Sequence, residues 1–149
     1  MDWLNGPLVW AIDDWHQPLY LFPRDCPRIL IWPGPRTTPP DRARWWGART
    51  ARMVAHVETA WRDRLNSERL YRYELPSRAF EPLNEAGMFV SRASVEPLAV
   101  EALANLPASL DACGVELEIM PSLRPLRDVW KSSMMASGIR LRNARDWPT

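Results

Sequence analysis

Lysine is almost missing from this chain of 149 residues: of its nineteen basic residues only Lys131 is lysine, and the rest are arginine. Glycine (six), cysteine (two) and histidine (two) are also scarce. Each scarcity excludes something. Six scattered glycines form no Gly-x-x-x-x-Gly-Lys loop and no Gly-x-Gly-x-x-Gly turn, so a phosphate cradle of backbone amides cannot be built. An anion site would have to rest on arginines and helix N-termini. His16 and His56 stand forty residues apart, and no His-x-x-x-His or Cys-x-x-Cys spacing exists, so no metal site is expected. Cys26 and Cys113 are too few for a disulfide scaffold and read as reduced thiols. No Gly-x-Ser-x-Gly elbow marks a hydrolase nucleophile. No apolar run approaches the roughly 20 residues that cross a bilayer, and no basic-then-apolar leader opens the chain. A cytoplasmic protein with no membrane partner is the expectation.

What is present suits one compact domain spanning residues 1–149: 46% hydrophobic residues, 25% charged and a net charge of +1. Tryptophan (nine) and proline (fifteen) are abundant. The arginine bias has two readings, a GC-rich coding sequence or a need for the guanidinium fork, which suits phosphate and carboxylate. Charge is uneven along the chain. Residues 1–35 carry net −2, residues 36–73 net +5, residues 74–119 net −6 and residues 120–149 net +4. Either the basic and acidic segments neutralise each other internally, or a basic face awaits an anionic ligand.

Short apolar runs at Leu8–Ile12 and Ile29–Trp32 predict buried strands. Asp13 or Asp14 can cap a short helix that Pro18 limits. Pro23-Arg24-Asp25-Cys26-Pro27-Arg28 reads as a rigid turn. Thr38 with Asp41 resembles a capping box, and Trp46, Met53, Val54, Val57, Trp61 and Leu65 recur at helical spacing. That predicts a long helix over residues 39–66 with arginines on its other face. Beyond it, Leu70–Leu75 alternates as a strand, followed by extended pieces at Phe80–Leu83, Gly87–Ser91 and Val95–Glu101, the last interrupted by Pro97. A short helix at Pro107–Cys113 stops at Gly114. Val115–Ile119 alternates again. A last helix is predicted over Ser122–Ser137 and a closing strand over Ile139–Arg142. Strands and helices do not alternate throughout, so the fold class is α+β: a mixed or mainly antiparallel sheet with three to four helices.

Three further features could carry chemistry. Arg24 and Arg28 flank Cys26 and could lower its thiol pKa; the competing reading is a small residue held in a tight turn. Trp45 and Trp46 are adjacent, so one could face a ligand or partner while the other fills the core. Arginines 42–64 could meet nucleic-acid phosphates, but acids interrupt them and no nucleic-acid module is present, so nucleic acid is not expected as a partner.

Two passages, Leu8 to Arg28 (Leu-Val-Trp-Ala-Ile-Asp…His-Gln-Pro-Leu-Tyr-Leu-Phe-Pro-Arg-Asp-Cys-Pro-Arg) and Ser137 to Ala144, resemble a family of small uncharacterised bacterial proteins. Arg69–Glu74, Phe80–Pro82 and Met88–Leu98 fit the same family. The tyrosine strand, the Phe-x-Pro step and the Val-Ser-Arg-x-x-Val-x-Pro-Leu strand are also similar to the second half of rifampin ADP-ribosyltransferases. That resemblance implies a split, ADP-ribosyltransferase-like core and an NAD cleft. In it Trp10 would stack the nicotinamide, Arg24, Arg28 and Arg92 would hold the pyrophosphate, Asp13 would meet a ribose, and Ser91 would face the cleft beside Arg92. Those enzymes bind the NAD ribose with a histidine on an N-terminal strand, and no histidine precedes His16 here. The resemblance therefore implies a degenerate, nucleotide- or NAD-binding domain inactive as a transferase. The alternative is a non-enzymatic interaction module or homodimer using an open sheet edge and an exposed Trp45/Trp46 surface.

Overall fold

The computed structural model describes residues 8–84 and 87–148. Its centre is a four-stranded sheet built from β2 (Arg28–Trp32), β3 (Met53–Glu58), β8 (Val115–Met120) and β9 (Met135–Ile139), in the order β8-β3-β2-β9. β2 lies antiparallel to both β3 and β9, and β3 lies parallel to β8. Every residue of β2 and β3 is buried, so the sheet is covered on both faces. Such strands read as continuous apolar runs without alternation. A second sheet orders β1 (Val9–Ile12), β6 (Met88–Ser91) and β5 (Glu81–Pro82) as β1-β6-β5. β4 (Leu70–Glu74) and β7 (Ala99–Leu103) form a separate antiparallel ribbon. The fold is α+β, as composition and pattern imply.

The helices are short. α1 (Pro39–Trp45) starts where expected, with the Thr38 hydroxyl accepting from the Asp41 amide. It ends at Gly47, whose φ of +68° suits glycine best. Residues 39–66 are therefore not one helix. Met53 to Glu58 form the buried strand β3, and a new helix, α2 (Arg62–Ser67), follows. Met53, Val54 and Val57 satisfied a helical stripe only because a strand buried on both faces shows no period of its own. The C-terminal expectation slips in the same way. Arg124–Lys131 is a run of 3-10 turns, Met135–Ile139 is the strand, and Leu141–Asn143 is a further 3-10 turn. α3 (Leu106–Ala112) and its Gly114 terminator, φ +78°, stand as expected. β7 begins beyond Pro97 rather than running through it. Of the expected turn at residues 84–86, Glu85 and Ala86 lie outside the described residues.

One core joins these parts. Leu30, Ala55 and Met53 from the central strands meet Leu65, Leu106 and Leu110 from the helices, Val129 from the 3-10 run and Leu123 just before it. Each fully buried leucine contributes about 1.5–3 kcal/mol. Trp46 is part of this core at 1% exposure, and its indole donates to the Arg49 carbonyl. Trp45 is half-buried, with the Arg44 guanidinium against its ring. The expected Trp45/Trp46 surface is therefore not an exposed aromatic pair. β1, by contrast, is less buried than its apolar run suggests, because Trp10 is 54% exposed.

Three ionisable groups lie buried in the central strands: Arg28, His56 and Glu58. Both Glu58 carboxylate oxygens accept from the Arg145 amide, at 2.9 and 3.1 Å, which ties the C-terminal tail to the end of β3. His56 donates through Nδ1 to the Ile29 carbonyl, 3.0 Å away, and its Nε2 stands 3.7 Å from Glu118.

Two predictions follow from this packing. Burial holds the His56 imidazole below its ordinary value of 6.5, against the opposing pull of Ile29 and Glu118. Below about pH 6.5 the unfolded chain binds a proton that the folded chain does not, so stability present above that value is lost as pH falls from it towards the lower folded pKa. His56→Asn is expected to show a smaller loss of melting temperature between about pH 7.5 and about pH 5.5 than the wild type. Gly87→Ala should destabilise by more than the ~1–2 kcal/mol of a left-handed alanine. Gly87 has φ +73°, and a Cβ there would stand 2.4 Å from His16 Nδ1. Urea unfolding of that variant measures the loss.

Candidate functional site

The Pro23–Pro27 turn delivers the chain into β2, whose first residue, Arg28, pairs across the sheet with Ile139 at the end of β9. The 3-10 turn Gln17–Tyr20 ends beside them. Together these segments line an open cavity of about 760 Å³. Its apolar wall comes from Phe22, Leu70, Ile139 and Leu141, and the exposed ring of Tyr20 also lines it. Four arginines complete it: Arg24 from the turn, Arg28 from the start of β2, and Arg140 and Arg142 from the tail after β9.

Arg28 is 2% exposed. Its guanidinium donates to the carbonyls of Leu19 (3.0 Å), Cys26 (3.0 Å) and Arg24 (3.5 Å), and so pins the turn. It also lies 5.3 Å from the centroid of Phe22 and 5.7 Å from that of Tyr20. Burial lowers its pKa from 12.5 to about 10, and repulsion from Arg140 adds to the fall. Arg140 takes a φ of 57°, a left-handed conformation unusual for a side chain with a Cβ. That residue redirects the chain as it leaves β9 and enters the Leu141–Asn143 turn.

No carboxylate of the described residues lies within ion-pairing distance of any of these four guanidinia. Some arginines elsewhere do find acids. Arg49 bridges Glu116 and Glu118, Arg52 reaches Asp14, and Arg72 binds Glu101 at 2.7 Å. The cavity is thus a concentration of like charge that the fold leaves without a counter-charge.

The sequence-predicted residues divide between two places. Arg24 and Arg28 line the cavity. Trp10, Asp13, Ser91 and Arg92 belong to the β1–β6 sheet and its flanks and do not line it. Trp10 lies opposite Val90, and Val9 opposite Ser91. Asp13 Oδ1 accepts from both the amide and Nδ1 of His16, each at 2.8 Å. Ser91 is 1% exposed and closes a local turn with Ala93. Arg92 is exposed just beyond β6. Sequence reasoning missed Tyr20, Arg140 and Arg142. The excess of basic residues in the tail was the available signal for the two arginines.

Cys26 is no nucleophile. It is fully buried, and burial outweighs the neighbouring Arg28 to push its thiol up to about 12. Cys113 is half-buried at the end of α3, with the Gln17 amide 3.8 Å from its sulfur.

Fold and cavity define the class: an α+β domain with an uncompensated cationic cavity at one end of its central sheet. The chain belongs to DUF6886, a family of unknown function, whose sequence pattern matches residues 2–144. No curated protein and no solved structure matches the chain.

The two thiols should separate by reactivity. At about pH 8, a thiol reagent is expected to modify Cys113 in the native protein and Cys26 only after unfolding. Peptide mass spectrometry reads the order, and labelling of native Cys26 would contradict the assignment.

Proposed function

We propose that this protein binds a small phosphorylated ligand of the nucleotide class in the arginine cavity. The observation that supports the reading is the presence of four guanidinia, one of them in the core, with no carboxylate beside them among the described residues. A buried cation without an acid is costly unless another anion neutralises it. Phosphate oxygens accept the two parallel N–H bonds that a guanidinium fork presents. Arg24 and Arg28 on one side and the two arginines of the tail on the other could share the charge of a diphosphate. The exposed Tyr20 ring offers a stacking surface for a base. A volume of about 760 Å³ lies within the roughly 300–1,000 Å³ of small-molecule sites.

Among the described residues the lining contains no histidine, thiol or carboxylate. This favours a binding protein over a transferase or hydrolase acting in this cavity. ADP and ADP-ribose, which join a diphosphate to a base, are the first ligands to test.

Thermal-shift and calorimetric titration test the reading. Millimolar ADP or ADP-ribose is expected to raise the melting temperature by mass action, and adenosine is not. Arg24 and Arg142 are exposed and hold no part of the fold by an ion pair. Arg24→Gln and Arg142→Gln should each weaken binding about tenfold, the effect of one lost charge-assisted hydrogen bond. Absence of any shift, or a shift that both substitutions leave unchanged, would refute the reading.

A further inference from the structure

The two sides of the arginine cavity carry the same charge, Arg24 and Arg28 on one and Arg140 and Arg142 on the other. Like charges push such sides apart, and the repulsion of Arg140 is felt at Arg28. At their base the sides are joined by the sheet, through the pairing of Arg28 with Ile139. Beyond β9 the tail is held at separate points. Leu141 lies over Gly138, where an added Cβ would stand 2.6 Å from the leucine side chain. The buried Glu58 carboxylate holds the Arg145 amide.

Between these anchors the tail makes a tight turn. The amides of Asn143 and Ala144 donate to the carbonyls of Arg140 and Leu141, each at 2.9 Å. The Asn143 side chain leaves that turn and donates through Nδ2 to the Asp25 carbonyl, 2.8 Å away. Among the described residues this is the one hydrogen bond that crosses from residues 140–145 to the Pro23–Pro27 turn. Its place in the sequence is what gives it consequence. Asp25 follows Arg24, and Asn143 follows Arg142. The bond therefore joins the neighbours of the two exposed arginines, one from each side, and sets the distance between their backbones.

A single phosphate can be met by guanidinia of one side alone. Two linked phosphates call on both sides at once, at a spacing that the anhydride dictates. Holding the sides at that spacing before binding strengthens the complex, because the ligand need not gather the charges itself.

We infer that Asn143 determines specificity in this cavity: its bond to the Asp25 carbonyl holds the tail arginines beside the turn at the spacing of a diphosphate, and so selects two linked phosphates over one. The inference rests on the phosphorylated-ligand reading above and adds a rank order within it. Asn143 is a positioning residue, acting through Arg142 rather than through contact with the ligand.

Calorimetric titration with ADP and with AMP tests it. The wild type is expected to bind ADP at least about tenfold more tightly than AMP. Asn143→Ala removes the donor from an exposed side chain. It should weaken ADP binding about fivefold, the effect of one lost neutral hydrogen bond, and AMP binding less than about twofold. A general disturbance of the fold would weaken both alike. Hydrogen exchange on the ligand-free protein gives a second readout: amides of residues 141–145 should exchange faster in Asn143→Ala, while those of β2 and β3 keep their protection. Equal binding of ADP and AMP by the wild type, an ADP-to-AMP ratio that Asn143→Ala leaves unchanged, or unaltered exchange in the tail would overturn the inference and leave the reading of the cavity standing. A wild type that binds neither nucleotide would overturn that reading, and the inference with it.

Discussion

A single guanidinium, that of Arg28, constrains the rest of this structure. It enters the core as the first residue of a strand buried on both faces. No acid meets it, so three main-chain carbonyls and two aromatic rings carry its solvation. Its fall from 12.5 to about 10 corresponds to roughly 3 kcal/mol of native-state cost at neutral pH. The turn before β2 is shaped by those carbonyl bonds, and the turn is one wall of the cavity. A hydrophobic residue at position 28 could fill the space, but it could neither gather Leu19, Arg24 and Cys26 nor present a charge to the cavity.

The opposing wall depends on the tail. Arg140 leaves β9 through a left-handed residue, and Glu58 holds the Arg145 amide five residues later. Between these points the tail brings Arg142 to the cavity. The uneven charge of the sequence then takes on a spatial meaning. Several arginines of residues 36–73 are matched internally by Asp14, Glu101, Glu116 and Glu118. Of the arginines left without an ion pair among the described residues, four gather at one cavity at the end of the central sheet.

Much of the fold was legible where local chemistry is decisive. β2 follows the rigid proline turn, α3 stops at Gly114, and β8 alternates valine, leucine and isoleucine with glutamate. The error over residues 39–66 has a physical origin. Met-Val-Ala-His-Val-Glu is buried on both faces, and its apolar positions fit a helical stripe as well as a strand. Gly47 could have marked the break. Residues 122–142 were misplaced because a 3-10 run and a short strand share apolar spacing with a helix. At the site, arginines around a proline turn were visible as a pair. Their partners Arg140 and Arg142 were visible only as tail charge, because the left-handed turn that aims them has no glycine or asparagine to announce it. Trp10, Asp13, Ser91 and Arg92 could not be excluded from the cavity by sequence, since how separate sheets sit is a tertiary property.

The central claim is that the buried Arg28 charge is completed by a phosphorylated ligand. Nitrogen-15 NMR of the arginine side chains, titrated with ADP, tests it most directly. The Arg28 Nε–H, held by the Leu19 carbonyl, should give a resonance protected from solvent exchange, assignable by its loss in Arg28→Lys. It is predicted to shift saturably with ADP, while that of Arg49, already paired with Glu116 and Glu118, stays in place. An Arg28 resonance that does not move at saturating ADP, or that moves no more than that of Arg49, would contradict the account.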